Sequence, residues 1–419
     1  MMFLRSENKK PPAGPCPARL AAWLLAAAAL LSAPSPTRAQ ETPDRSPFNV
    51  VIFSPPLKHY EPESPYAEAL LKTLGRQRWA RRADLRYFPA DALTNPLAVQ
   101  RTLEAVAGDP KVKALILGGA PFGSLEGCAR LRAKRPDILI LVLDPANDPR
   151  QMNQVASLTV SLNHATRGYL MPTLALRSGA RALISFSFPR HQDLYFFARQ
   201  RHIMQQAAED LGLTLIKADD GPDPLTAEKN AVVNYVEKTL DHYREIYQGQ
   251  VAFQATDEEV SELLISYAVR KGGLALDPIH PSLFLGIPES LNLVKPTFDL
   301  FGQWKRLLTL ADERYICLNP PGQISTWTYP YPWTAILALA EIAISALEKQ
   351  TDLYDLKALT TTLEKHSPGE KWQVQMVIDH DLDLMVPQLV VVLADSYWFG
   401  HGYQGFTRLN LPSKYNRLK

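Results

Sequence analysis

The sequence predicts an α/β protein, with two doubly wound parallel-sheet lobes in tandem facing each other across a cleft. Three observations carry this. From Phe48 onward, short runs of aliphatic and β-branched residues alternate with stretches of helical spacing. Those runs lack strict apolar–polar alternation, as strands covered on both faces do. The same order of strand and helix then starts afresh at Leu183, and strands alternating with helices imply a parallel sheet.

In the first half, NVVIFSPP (residues 49–56) reads as a strand stopped by turn residues, followed by a helix near 66–75 and the strand DLRYFPA (84–90). Helical spacing over 97–107 leads into VKALILGG (112–119). After a further helix come ILILVLD (138–144) and SLTVSLN (157–163). In the second half, LISFSF (183–188) is followed by a helix whose Leu194, Phe197, Met204, Ala208 and Leu211 share one face. LTLIKAD (213–219) precedes a helix over 225–247, with Asp223 as cap and Pro224 in the first turn. QVAFQA (250–255) leads to Thr256-Asp257-Glu258-Glu259, a capping box opening the next helix, and GGLALD (272–277) closes the repeat. Beyond it, helices are expected over 333–348 and 356–365, and strands at WQVQMVI (372–378) and PQLVVVLA (387–394). The organisation expected is a signal peptide at 1–39, lobes at 46–181 and 182–318, and a segment at 319–419 crossing back between them.

The signal peptide is read from order. Lys9, Lys10 and Arg19 precede an apolar run over 20–32, and Thr37 and Ala39 supply a small-x-small site. That run is too short to span a bilayer, which takes roughly 20 apolar residues. Cys16 lies before it, so lipid attachment is not expected. The mature chain is expected in the periplasm without a membrane span. Cleavage after Ala39 removes five Lys/Arg and one acid, moving the formal charge from +2 to −2. A near-neutral chain without a basic stripe argues against a nucleic-acid partner. Cys128 and Cys317 are then the remaining cysteines, as a pair or as two separate thiols.

In open parallel sheets, ligands collect beyond the carboxyl ends of the strands, where helix N-termini also point. In the first half those ends are Ser54, Gly118 with Gly119, Asp144 and Asn163. In the second they are Ser187 with Arg190 and His191, Asp219, and Gln254 with Thr256. Arg190 suits two-point capture of a carboxylate or phosphate, or else marks a solvated helix start. Gly118-Gly119 allows close backbone approach or is a plain turn. Asp144 suits an ammonium or sugar hydroxyl, or a turn before Pro145. Asn163 and Thr256 also suit helix caps. The aromatic run at 327–333 either stacks on a ligand or forms a rigid lead-in to its helix.

An exported chain built of two tandem α/β halves resembles the type I periplasmic-binding-protein fold, also found in effector domains of sugar-responsive repressors. SFSFPRHQDLYFFARQRHIMQQAAEDLGL (185–213) is similar to a segment of a functionally uncharacterised family of secreted bacterial proteins with that fold. The likeness extends over 48–277. It implies hinged closure over a small-molecule ligand, with a membrane transporter or sensor reading the closed form. It implies no particular ligand or binding residue.

Enzyme signatures are sparse: HExxH, P-loop, CxxC and GxSxG patterns are all missing. GHGYQG (400–405) matches GxGxxG, but no helix or βαβ unit follows, so no dinucleotide is expected. In DHDLD (379–383), a calcium loop would need glycine and glutamate where Leu384 and Val390 stand, so no metal is expected. No cofactor is expected either. The chain is thus read as a solute-binding protein. The alternatives are a secreted α/β hydrolase-type enzyme using His191 and nearby acids in the interlobe cleft, with Asp193 as one partner for acid–base work, and a periplasmic sensor whose partner is a protein such as a histidine-kinase ectodomain.

Overall fold

Five strands of the first lobe, β1 (Asn49–Phe53), β2 (Ala83–Arg86), β3 (Val112–Leu117), β4 (Leu139–Leu143) and β5 (Leu158–Leu162), lie parallel in the spatial order 2-1-3-4-5. The structure, a computed structural model, describes residues 48–56, 60–62, 64–192, 194–276, 287–293, 300, 303–379 and 384–416. Helices α1 (Pro65–Gly75), α2 (Pro96–Glu104), α3 (Ser124–Lys134) and the single turn α4 (Pro149–Met152) connect the strands. Local chemistry fixes most helix starts. Ser64, Asn95 and Asp148 each accept a first-turn N–H, and each is followed by a proline that gives up no needed donor.

The second lobe begins with α5 (His164–Arg177) and runs through β6 (Ala182–Phe186), the turn α6 (Pro189–Gln192), α7 (Tyr195–Leu211), β7 (Thr214–Ala218), α8 (Lys229–Ile246), β8 (Val251–Ala255), α9 (Glu258–Lys271) and β9 (Leu274–Ala275). Its sheet is parallel, in the order 7-6-8-9. The turn α10 (Ile287–Ser290) and helix α11 (Trp304–Leu318) pack on it through Ile287, Leu307, Ala311 and Tyr315.

The chain then returns. After β10 (Ser325–Thr326), α12 (Tyr331–Leu347) enters the core of the first lobe, followed by α13 (Leu356–His366), β11 (Trp372–Asp379) and β12 (Leu384–Ala394). β12 pairs parallel with β5 and β11 antiparallel with β12, so the first sheet has seven strands in the order 11-12-5-4-3-1-2. Helix α12 is apolar on nearly every side, Glu341 being its one charge, as suits a helix inside a core; Ile336, Ala338, Ala340 and Ala343 have no exposed surface. β13 (Tyr397–Trp398) and β14 (Gly402–Tyr403) form a small antiparallel sheet with β10, and the turn α14 (Ser413–Asn416) follows. Among the described residues the chain thus crosses between lobes at three places, near residues 163, 326–330 and 395–396.

Several local expectations change. The helix expected over 225–247 starts at Lys229, because Asp223 closes a separate turn, accepting Leu225 N–H at 3.0 Å, and Glu228 is extended. Asp257, not Thr256, caps α9. Pro189 opens a single turn, and α7 starts afresh at Tyr195. The aromatic run at 327–333 is a packed lead-in, with Trp327, Tyr329, Tyr331 and Trp333 all buried. Gly400, Gly402 and Gly405 have positive φ and shape turns. Cys128 is buried in the first lobe, its thiol pushed up to about 12 by burial, and Cys317 is exposed on α11, so the two do not bond to each other. Asp193, residues 380–383 of the acidic turn and the 1–39 segment lie outside the described residues. Among those described, no helix is long and apolar enough to cross a membrane.

Candidate functional site

The two sheets direct their strand ends to the junction between lobes, and their polar groups are organised differently on the two sides. On the second-lobe side, Arg190 is already committed. Its Nε donates to both oxygens of Asp223 at 2.9 and 3.0 Å, and its Nη2 donates to Asp257. Nη1 of Arg190 meets Nε2 of His191. His191 Nδ1 lies 2.8 Å from Thr256 Oγ1, which in turn donates to Ser187 Oγ at 3.2 Å. A hydroxyl has one proton to give, so the chain has one consistent sense: His191 carries its hydrogen on Nδ1 and accepts from Arg190 at Nε2. That arrangement leaves neither ring nitrogen for acid–base work on a substrate.

Around this chain, buried Gln254 donates to Ser185 Oγ at 2.6 Å, and Asp219 accepts from Arg201. Asp257 accepts Glu259 N–H at 2.9 Å as the cap of α9, and burial raises its carboxyl despite Arg190. Next to it, burial, reinforced by the Asp257 charge, pushes Glu258 up to about 8. Burial together with Glu289 pushes Glu262 up to about 7.

On the first-lobe side, the glycines contact their own chain. A Cβ on Gly118 would stand 2.6 Å from Ile336 Cδ1 and 2.8 Å from Phe53 O, and one on Gly119 would meet Pro56 at 3.1 Å. Close approach is therefore required, but by α12 and β1. Ser54 is buried and donates to Tyr60 O at 3.3 Å. Asn163 caps α5, accepting Thr166 N–H at 3.0 Å.

Asp144 differs from these. It sits in the left-handed region at φ 38°, and its Oδ1 accepts Leu162 N–H at 2.9 Å. Burial pushes its carboxyl up to about 6, opposed by that hydrogen bond, by the Tyr331 and Ser161 hydroxyls and by the charge of Arg167. Arg167 has no exposed surface and holds its guanidinium over the Trp327 ring, 5.2 Å from the centroid. One turn earlier on the same face of α5, His164 stacks on Phe196 and its Nδ1 lies 2.8 Å from Gln200 Oε1. Gly168 makes this possible, since a Cβ there would stand 2.5 Å from Gln200 O. Two almost wholly buried donors, Gln200 Nε2 and Trp327 Nε1, find no acceptor among the described residues. In either orientation of the Gln200 amide one end is left over.

This junction joins both lobes. Phe197 packs into the first-lobe core with Leu194 and Phe196 beside it, and Arg150 lies over the Tyr195 ring at 5.6 Å. Asp144 was legible in the sequence as a strand end. Arg167, Tyr331, Trp327 and Gln200 were not placed with it. The available signal was the Asn163 cap, which puts His164 and Arg167 on one face of the helix that leaves β5.

Comparison with known proteins agrees with the architecture. A family model described as "Protein of unknown function (DUF3798)" matches residues 48–313, and a second family model covers 336–418. Two uncharacterized proteins of Treponema pallidum (strain Nichols) are similar. One is 29% identical over 173 residues (41% of this chain, 80% of the relative), and the other 32% over 137 residues (33% and 62%). A crystal structure from Clostridium difficile 630, described as a transcriptional regulator, superposes with a TM-score of 0.67 at 14% identity, over 84% of this chain and 99% of that one. A carbohydrate transporter from Acidothermus cellulolyticus 11B, in complex with myo-inositol, reaches a TM-score of 0.46 at 10% identity, over 77% of this chain and 100% of that one. The fold is that of type I periplasmic-binding-protein-like proteins, as the sequence led us to expect.

Proposed function

This chain belongs to the DUF3798 family, and on that premise we propose that it is an exported solute-binding protein that closes its two lobes over a small polar or anionic ligand, for uptake or sensing. The observation that carries the reading is the group of buried donors at the lobe junction. Gln200 Nε2 and Trp327 Nε1 are buried with no acceptor among the described residues, and the Arg167 guanidinium lies over the Trp327 ring with its charge acting on Asp144. Donors buried without acceptors are expensive to keep, by about 1–3 kcal/mol each. A solute rich in acceptors, such as a carboxylate, phosphate or polyol, relieves that cost. Asp144, able to hold or release a proton near pH 6, then accepts from a ligand hydroxyl or ammonium. The proposal keeps Ser187, His191, Gln254 and Thr256 as the opposite wall and treats Arg190 as the fastening of that wall. The closed form would be read by a membrane transporter or sensor.

The test is mass spectrometry of the purified protein under native and then denaturing conditions, followed by a thermal-shift screen of amino acids, sugars and nucleosides. A ligand at a hundred times its dissociation constant should stabilise the protein by about 2.7 kcal/mol, and Asp144→Asn should weaken it. No released mass, together with no shift from any member of the screen, would count against solute binding.

A further inference from the structure

A separate cavity of about 380 Å³ lies between the start of α11 in the second lobe and the flanks of α1, α12 and α13 in the first. That volume is in the range of small-molecule pockets, roughly 300–1,000 Å³. None of the strand-end residues described above lines it. Its apolar wall is aromatic. Trp304 stands edge-to-face with Trp333, centroids 5.6 Å apart, and tilts against Tyr329 at 5.9 Å. Trp304 packs against the cores of both lobes.

Every formal charge on its lining is positive. Lys365 and His366 are held by Glu341, which stands outside the lining and is pushed down to about 2, first by His366 and then by Lys365. Lys305 and Arg306 are exposed and pair with no carboxylate among the described residues; Arg306 donates to Gln303 Oε1 at 2.6 Å. Both occupy the first turn of α11, where the helix end is itself positive and cations are disfavoured. An aromatic wall beneath two uncompensated cations has a definite complement. Flat rings stack on tryptophan, and an anion satisfies the two cations.

We propose that this cavity is a second binding site, for a planar ring carrying a carboxylate or phosphate. The ring lies against Trp304, which backs edge-to-face onto buried Trp333, and the anion lies between Lys305 and Arg306. Because the walls come from both lobes, an occupant there ties the two together independently of the strand-end cleft.

The test is isothermal titration and tryptophan fluorescence of the full chain with phenyl phosphate, benzoate, inorganic phosphate and benzyl alcohol. At least one of the two anionic rings should bind saturably, about tenfold or more tighter than inorganic phosphate and benzyl alcohol, and which of the two wins identifies the anion. Lys305→Gln with Arg306→Gln should lose about tenfold of that affinity with an unchanged melting temperature. Thr73→Phe, filling the wall without touching a charge, should block binding. Failure of both anionic rings to bind, equal binding of benzyl alcohol or inorganic phosphate, or indifference to the double variant would each overturn the proposal.

Discussion

Arg167 and Arg190 stand on opposite sides of the lobe junction, and their surroundings differ in one decisive way. Arg190 is met by two carboxylates of its own lobe and keeps about a third of its side chain in solvent, 31%. Arg167 is fully buried, over an indole, with Asp144 acting at greater range as part of a shared polar group. The first arrangement is closed: each donor has its acceptor, and the network fastens α6 to α9. The second keeps two buried donors, Gln200 Nε2 and Trp327 Nε1, without an acceptor among the described residues. A charged residue at a strand end is therefore not by itself a ligand contact: Arg190 is held by the carboxylates of Asp223 and Asp257, whereas the Arg167 side keeps buried neutral donors without an acceptor among the described residues.

The contrast can be broken most directly by stability. Arg167→Gln should cost about 3 kcal/mol or more in urea unfolding, because it leaves the buried Asp144 carboxyl without the charge that compensates it. Arg190→Gln should cost about 1 kcal/mol, since water reaches that network. Equal losses would erase the distinction.

Titration separates the same two regions. Asp144, Glu258 and Glu262 all have folded pKa values raised above their ordinary ones. The folded state therefore holds protons that the unfolded chain has released, and stability falls as pH rises through these windows. The Asp144 share falls between about pH 4 and 6, and the share of Glu258 and Glu262 between about pH 4.5 and 8. Asp144→Asn should flatten the stability curve between about pH 4 and 6, and Glu262→Gln between about pH 4.5 and 7, each by up to about 3 kcal/mol. A profile unchanged by either substitution would show that water hydrates these carboxylates more than their burial implies.

The smallest expected effect concerns the caps. Asn163→Ala removes one cap bond on the Arg167 side and should cost about 1 kcal/mol. Asp257→Ala removes a cap and a partner of Arg190 together and should cost more. Thermal unfolding of the two single variants orders them.

Much of the fold was legible because its signals are local. The strands at 49–53, 112–117, 139–143 and 158–162 declare themselves as apolar runs between turn residues, and the restart at 182–186 follows the same rule. The late strands at 372–379 and 384–394 were also legible as strands. Their partner was not, since β12 pairs with β5 across more than two hundred residues and no local pattern encodes that choice. The site was half legible for the same reason. Asp144 sits at the end of a recognisable strand, whereas Arg167 gains its meaning from Trp327 and Tyr331, which arrive from the returning chain.

That return sets the order in which the molecule takes shape as the chain emerges, N-terminus first. Residues 164–318 supply nearly all of the second lobe as one unbroken stretch, complete soon after it is made. The first lobe, although begun earlier, lacks α12, β11 and β12 until residues 331–394 have followed, and until then its β5 is an open edge and its core lacks its central helix. The half that is synthesised first must therefore wait to be closed, its open edge exposed to pairing with other chains in the meantime.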